Sequence, residues 1–182
     1  MPVSLCVLGV FALDEEKNDS TLDLQDRGSR ESPGGSRTMN VKMVSLTWKS
    51  HVAPLVRAAA KLDWLELTAH SSTGLDDDPL KVREIVNGFK DADLLLFYRS
   101  SEGFWSIIEK EIQERGAAIP PIVCVGHDPS LWALSTAKPP LVATCFSFLT
   151  YGGEENLGNL LRCMAHEILG ADVPYDPPKP VP

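Results

Sequence analysis

Asp93-Leu94-Leu95-Leu96-Phe97-Tyr98 decides the fold. A continuous apolar run leaves no polar face, so both sides of the segment must be covered. That suits a strand of a parallel sheet, packed by helices above and below. Upstream, Asp76-Asp77-Asp78-Pro79 marks a helix start, with carboxylates and proline at the positive end. Val82, Ile85, Val86 and Phe89 then share one helical face. Downstream, Phe104, Ile108 and Ile112 form the next helix face, closed by Gly116. Farther out, Val41 to Trp48, Leu65 to Ala69 and Pro121 to Val125 read as strands. Val52, Leu55, Val56, Ala59 and Leu62 recur at helical spacing, with Pro54 in the first turn. Val142 to Leu149 reads as a fifth strand, and a last helix runs from about Glu154 to Leu169. The order β-α-β-α-β-α-β-loop-β-α predicts an α/β fold. Its expected form is an open, mainly parallel sheet of about five strands with helices on both faces, flavodoxin- or Rossmann-like.

A chain of 182 residues, 43% hydrophobic, is enough for one domain with a real core and too short for two large ones. A net charge of -8 argues against nucleic-acid binding, which needs a basic stripe. Cys6, Cys124, Cys145 and Cys163 have no framework spacing. Cys124 and Cys145 sit in apolar, strand-like runs and read as small buried hydrophobes, so a reducing, cytoplasmic location is expected.

Residues 1–38 read as a disordered or spurious N-terminal extension. Asp14 to Arg37 is charged and rich in Ser and Gly, and cannot bury enough apolar surface to offset ordering entropy. Val3 to Leu13 is apolar but lacks the charge before it and the cleavage site after it of a signal peptide, and it is too short to span a bilayer. A short strand or anchor is the competing reading of that stretch. Residues 39–172 form the expected α/β domain. Residues 173–182, rich in proline, read as a linker leading to further domains.

In such sheets ligands bind outside the C-terminal strand ends. Four segments are expected there: Thr47 to His51, Arg99 to Gly103, Gly126 to Asp128, and Thr150 to Asn156. Right-handed crossovers place every strand-to-helix loop on one edge, so these segments should share one crevice. The candidate binding residues are Arg99, Ser100, Ser101, His127, Asp128, Tyr151, Gly152, Gly153, Glu154 and Asn156. The Arg cation, the hydroxyls and the amides at a helix start suit carboxylate or amide groups, although Glu154 and Glu155 oppose an anion. Each also has a structural reading. Arg99-Ser100-Ser101 caps the next helix, and Gly126-His127-Asp128-Pro129 is a tight turn. Cys163 and His166, three apart on the last helix, read as core packing rather than metal ligands, and His51 and His70 as loop or cap residues. No phosphate loop, dinucleotide fingerprint or nucleophile elbow is present, so ATP or NAD binding by this chain is disfavoured and no catalytic or metal-binding residue is assigned.

Several strings occur in order: Arg99-Ser100-Ser101 with Phe104-Trp105, then Gly126-His127-Asp128-Pro129-Ser130-Leu131-Trp132. Next comes Thr150-Tyr151-Gly152-Gly153-Glu154-Glu155-Asn156-Leu157 with Asn159-Leu160-Leu161-Arg162, and last Gly170-Ala171-Asp172-Val173-Pro174-Tyr175-Asp176-Pro177-Pro178. With these strings the chain from about Met39 resembles the N-terminal region of the large subunit of cobaltochelatase, CobN type. That family also contains the large, porphyrin-binding subunit of magnesium chelatase. The resemblance implies a protein that binds a corrin or porphyrin ring. With two smaller subunits, one an AAA+ ATPase, it inserts a divalent metal, for cobalt during cobalamin biosynthesis. Cobalt and ATP are thus implied for the full complex, and no cofactor for this chain. The expected partners are the downstream domains, the ATPase, the companion subunit and the ring substrate, with no nucleic acid and no membrane. The chain by itself is not expected to be catalytic. The alternative is a stand-alone flavodoxin-like module that binds a small molecule or a protein without catalysis.

Overall fold

The structure is a computed structural model and describes residues 39–181. The expectations for residues 1–38, including the alternative strand or anchor at Val3 to Leu13, lie outside the described residues.

Four strands form one parallel sheet: β1 (Val41–Thr47), β2 (Leu65–Ser71), β3 (Leu94–Tyr98) and β4 (Ile122–Val125). Their order is β2-β1-β3-β4. Register pairs Val41 with Leu65, Leu46 with Phe97, and Leu96 with Val123. All five residues of β3 are buried, as the unbroken apolar run requires. Its side chains alternate between two cores. Leu94, Leu96 and Tyr98 join one, and Leu95 and Phe97 join the other.

The first core is covered by α1 (Lys49–Ala59), α4 (Pro139–Tyr151) and α5 (Gly153–Leu169). The second is covered by α2 (Pro79–Gly88) and α3 (Trp105–Arg115). The acidic run before α2 works as its sequence indicates: Asp78 accepts a 2.9 Å bond from the Lys81 amide, with Pro79 next to it in the first turn. Gly116 closes α3 with a φ of 51°. Helix α1 begins earlier than expected, so Pro54 lies inside it rather than in its first turn.

One expected element differs in kind. Val142–Leu149, read as a fifth strand, lies within helix α4. Short apolar runs do not separate strand from buried helix by periodicity. Pro139 and Pro140 open the helix, where missing amides cost nothing, and Val142, Cys145, Phe148 and Leu149 are its buried face. The edge of β4 that a fifth strand would pair is satisfied by two hydroxyl residues instead. The Ile122 amide donates to Thr136 Oγ1 at 2.8 Å, and the Cys124 amide donates to Ser135 Oγ at 2.8 Å. The Ser135 hydroxyl returns a bond to the Cys124 carbonyl, and the Thr136 amide donates to the Ile122 carbonyl at 3.0 Å. The sheet therefore stops at four strands.

The tail is ordered against the domain. Beyond Gly170, which ends α5 in the left-handed region, the chain turns back and runs along α5. The Asp176 amide donates to Asn159 Oδ1 at 3.2 Å, and the Lys179 amide donates to Asn156 Oδ1 at 3.0 Å. Asn156 Nδ2 donates to the Lys179 and Gly152 carbonyls at 2.7 and 2.8 Å.

Candidate functional site

The chain leaves β1 toward one face of the sheet, into α1, and leaves β3 toward the other face, into α3. Adjacent strands whose connections diverge in this way open a crevice at their C-terminal ends. Trp48, His51, Tyr98 and the Arg99–Ser101 loop stand at that point. Trp48 and Tyr98 have ring centroids 4.6 Å apart, and His51 and Tyr98 5.3 Å apart. Trp48 and His51 stack at 6.1 Å. Tyr98 is 7% exposed, whereas Trp48 keeps 40% of its surface open. No side chain caps α1, and the His51 amide in its first turn donates to the Trp48 carbonyl at 2.9 Å.

Arg99 is not a free cation. Its guanidinium pairs with Glu109 on α3, and its Nε is buried without a hydrogen-bond partner among the described residues. Ser100 Oγ accepts from the Trp105 indole at 3.2 Å, which ties the loop to the second core. Ser101 is exposed.

The β4 loop lies beside the β3 loop. The Arg99 amide donates to the Val125 carbonyl at 2.7 Å. Gly126 is buried, and the Trp132 indole donates to its carbonyl at 2.9 Å. His127 and Asp128 are exposed. Asp128 caps the following short helical turn by accepting from the Ser130 amide at 2.8 Å. That bond holds its carboxyl below the usual range. Cys124 lies beneath, and burial pushes its thiol up to about 12, as an inert core group.

The expected single crevice does not include the segment Tyr151 to Asn156. Glu154 pairs with Lys61, and with Arg57 at 3.6 Å, at the far end of α1. There the Val41 amide meets the Trp64 carbonyl, at the start of the sheet rather than its C-terminal edge. Because Val142–Leu149 is helical, the segment after it is a helix–helix turn and not a strand-to-helix loop. Gly152 and Gly153 supply that turn with φ of 64° and 76°. The Lys61 ammonium holds the Glu154 carboxyl below its usual range. Tyr151 is exposed, and Asn156 is buried and spends its amide on the tail. The structure thus groups Arg99, Ser100 and Ser101 with Gly126, His127 and Asp128, and sets Tyr151, Gly152, Gly153, Glu154 and Asn156 apart.

The sequence reading gave Trp48 and Tyr98 no role of their own and placed His51 among ordinary caps. The signal was topological: the last residues of two neighbouring strands meet only once their order is known. On α5, Cys163 is buried in the core, whereas His166 is exposed and bonds the Ala171 carbonyl at 2.9 Å. Among the described residues no group of three or more His, Cys, Asp or Glu is placed to hold a metal ion. No helix among them is long and apolar enough to cross a membrane.

Burial disfavours the charged form of His51 and lowers its pKa from the ordinary 6.5. His70 shifts the same way, first through burial and then through Lys81. Both bind protons less readily folded than unfolded. Their contribution to stability is therefore full above the ordinary value, falls as pH drops through it, and levels off below the folded value. Thermal melts between about pH 8 and about pH 5 should show that loss, and His51→Phe, which cannot charge, should flatten part of it. An unchanged slope in His51→Phe excludes His51 as a contributor.

No family model matches the chain. In sequence it is 29% identical over 142 residues to the aerobic cobaltochelatase subunit CobN of Pseudomonas aeruginosa. The match takes in 73% of this chain and 11% of that protein, so the chain spans about a ninth of the relative's length. In structure it matches the catalytic subunit of cobaltochelatase from Mycobacterium tuberculosis with a TM-score of 0.57 at 18% identity. That likeness concerns the fold, and covers 78% of this chain and 12% of the other. The chain is thus similar in sequence to one part of the cobaltochelatase subunit CobN, and in fold to one part of a cobaltochelatase catalytic subunit.

Proposed function

We propose that the chain serves as the N-terminal domain of the ring-binding large subunit of an ATP-dependent cobaltochelatase. In this reading it works in the cytoplasm, beside an AAA+ ATPase and a companion subunit, during cobalamin biosynthesis. The observation that supports it is the agreement between sequence match and fold match on the same kind of protein. The chain's own contribution is binding and scaffolding. Its described groups are helix caps, ion pairs and an aromatic cluster, and the residues at the strand ends offer contacts to a polar ring periphery rather than a reaction centre. Cobalt is the cargo of the complex, and ATP belongs to the partner subunit.

The test is a graft. The matching segment of the Pseudomonas aeruginosa subunit is deleted, or replaced by residues 39–181 of this chain. ATP-dependent cobalt insertion into hydrogenobyrinic acid a,c-diamide is then measured with the partner subunits. Deletion should abolish insertion and the graft should restore it. A graft that folds and assembles but inserts no cobalt counts against the proposal.

A further inference from the structure

The two edges of the sheet are finished differently. On β4 the hydroxyls of Thr136 and Ser135 take up the outward amides of Ile122 and Cys124. Among the described residues β2 pairs with β1 alone, and its other edge is open. The ladder shows which groups face that opening. The Val41 amide donates to the Trp64 carbonyl at 2.9 Å, and the Ser72 amide to the Thr47 carbonyl at 2.8 Å. Glu66, Thr68 and His70 are in phase with Trp64 and Ser72, so their amides and carbonyls turn toward β1. Leu67, Ala69 and Ser71 turn theirs outward. So does the Leu65 carbonyl, while the Leu65 amide donates to the Leu62 carbonyl at 3.0 Å.

On the α2 side of β2 the side chains are polar. Glu66, Thr68 and His70 line a groove of about 290 Å³ with Glu84 and Gly88 of α2. Beside His70, Lys81 and Glu84 pair with each other at 2.9 Å. An edge with free backbone groups can take one more strand, and a carboxylate such as Glu66 opposes chance pairing there. The strand Leu65-Glu66-Leu67-Thr68-Ala69-His70-Ser71 is, however, its own complement. Laid antiparallel on a second copy, with Thr68 on the two-fold axis, Glu66 comes opposite His70 and Leu67 opposite Ala69, each of them twice. Leu67 and the second copy's Ala69 can then exchange both backbone bonds, because both point outward. Glu66 and the second copy's His70 form a non-hydrogen-bonded pair, in which facing side chains come closest. There the imidazole N–H donates to the carboxylate. An axis through Glu66 would instead set two carboxylates against each other, so the charges select the register.

We infer that β2 is a dimerisation edge, on which a second copy of this chain adds its own β2 antiparallel, around an axis through Thr68, to make one continuous sheet. The inference does not rest on the proposed function.

Two seven-residue edges make a small and therefore weak interface, so sedimentation equilibrium of the full chain from about 5 to about 500 µM is the test. A monomer–dimer equilibrium is expected. Glu66→Lys sets an ammonium against His70, and His70→Glu sets a carboxylate against Glu66. With two such pairs in each dimer, either variant should weaken dimerisation by about tenfold or more. Mixed in equal amounts, the two variants should associate again to within about threefold of the parent, because the new lysine then faces the new glutamate and Glu66 of one copy faces His70 of the other. Ala69→Pro deletes an outward amide that β1 does not use, and should lose the dimer while keeping the fold, read by circular dichroism. Should Ala69→Pro fold poorly, the charge pair still carries the test. Association restored on mixing supports the edge and its register. A full chain that stays monomeric, a dimer that tolerates all three variants, or charge variants that stay apart when mixed overturns the proposal.

Discussion

Asn156→Ala is expected to cost about 3 kcal/mol and to release the tail from α5. Asn156 is 5% exposed, and its side chain makes three hydrogen bonds to the backbone. The Lys179 amide donates to one end of the side-chain amide, and the Lys179 and Gly152 carbonyls accept from the other. That pattern fixes which end is oxygen, because a backbone N–H only donates. Each bond contributes roughly 1 kcal/mol net, and truncation also leaves the two carbonyls to find water. For a domain of this size the melting temperature should drop by roughly 6–12 °C. Asn159→Ala loses one 3.2 Å bond, to the Asp176 amide, and should cost about 1 kcal/mol. Hydrogen exchange at the Lys179 amide separates the effects. It should lose protection in Asn156→Ala and keep most of it in Asn159→Ala. A protected Lys179 amide in Asn156→Ala would show that packing of Tyr175 against the core, not the Asn side chain, holds the tail.

Gly126→Ala is expected to destabilise the domain by about 2–3 kcal/mol, the upper part of the range for an overpacked site. A Cβ there would lie 2.8 Å from the Arg99 carbonyl oxygen and 2.9 Å from Leu131 Cβ and Cδ1. Leu131 Cδ1 is a side-chain end that can rotate away, but the Arg99 carbonyl oxygen and Leu131 Cβ are fixed to the backbone. The backbone of β3's exit and the turn after β4 must move apart, and the 2.7 Å bond from the Arg99 amide to the Val125 carbonyl is at stake. Gly103→Ala is the control, since its Cβ would meet only Asp76 Oδ1 at 3.6 Å, an ordinary contact. Chemical denaturation of both variants gives the comparison. A Gly126→Ala loss under about 0.5 kcal/mol would mean that the two loops part freely.

The strings that carry the family resemblance turn out to hold the fold together. Ser100 and Trp105 bond each other, Trp132 reaches the Gly126 carbonyl, Asp128 caps a turn, and Gly152-Gly153 makes a sharp reversal. Asn156 and Asn159 then hold the exit segment that ends the same series. Of the binding candidates within these strings, Ser100, Asp128 and Asn156 thus make bonds within the domain, whereas Ser101 and His127 are exposed. Arg99 shows the same limit. In sequence it is a cation at a strand end, but Glu109, ten residues on, neutralises it one helical turn into α3.

Local pattern alone determined the α/β alternation. The unbroken run of β3, the Asp78-Pro79 helix start and the Gly116 stop each act within a few residues, so their physics is complete in the sequence. Only the tertiary structure decided the state of Val142–Leu149, because an apolar run is buried equally well as strand or helix. Proline at its start and the hydroxyls of Ser135 and Thr136 on the β4 edge settle it as helix. That one change moves the Gly152–Asn156 turn from the ligand edge of the sheet to the opposite edge. Strand order is likewise a long-range property: it sets β1 beside β3, and so brings Tyr98 against Trp48 and His51, which lie far earlier in the chain.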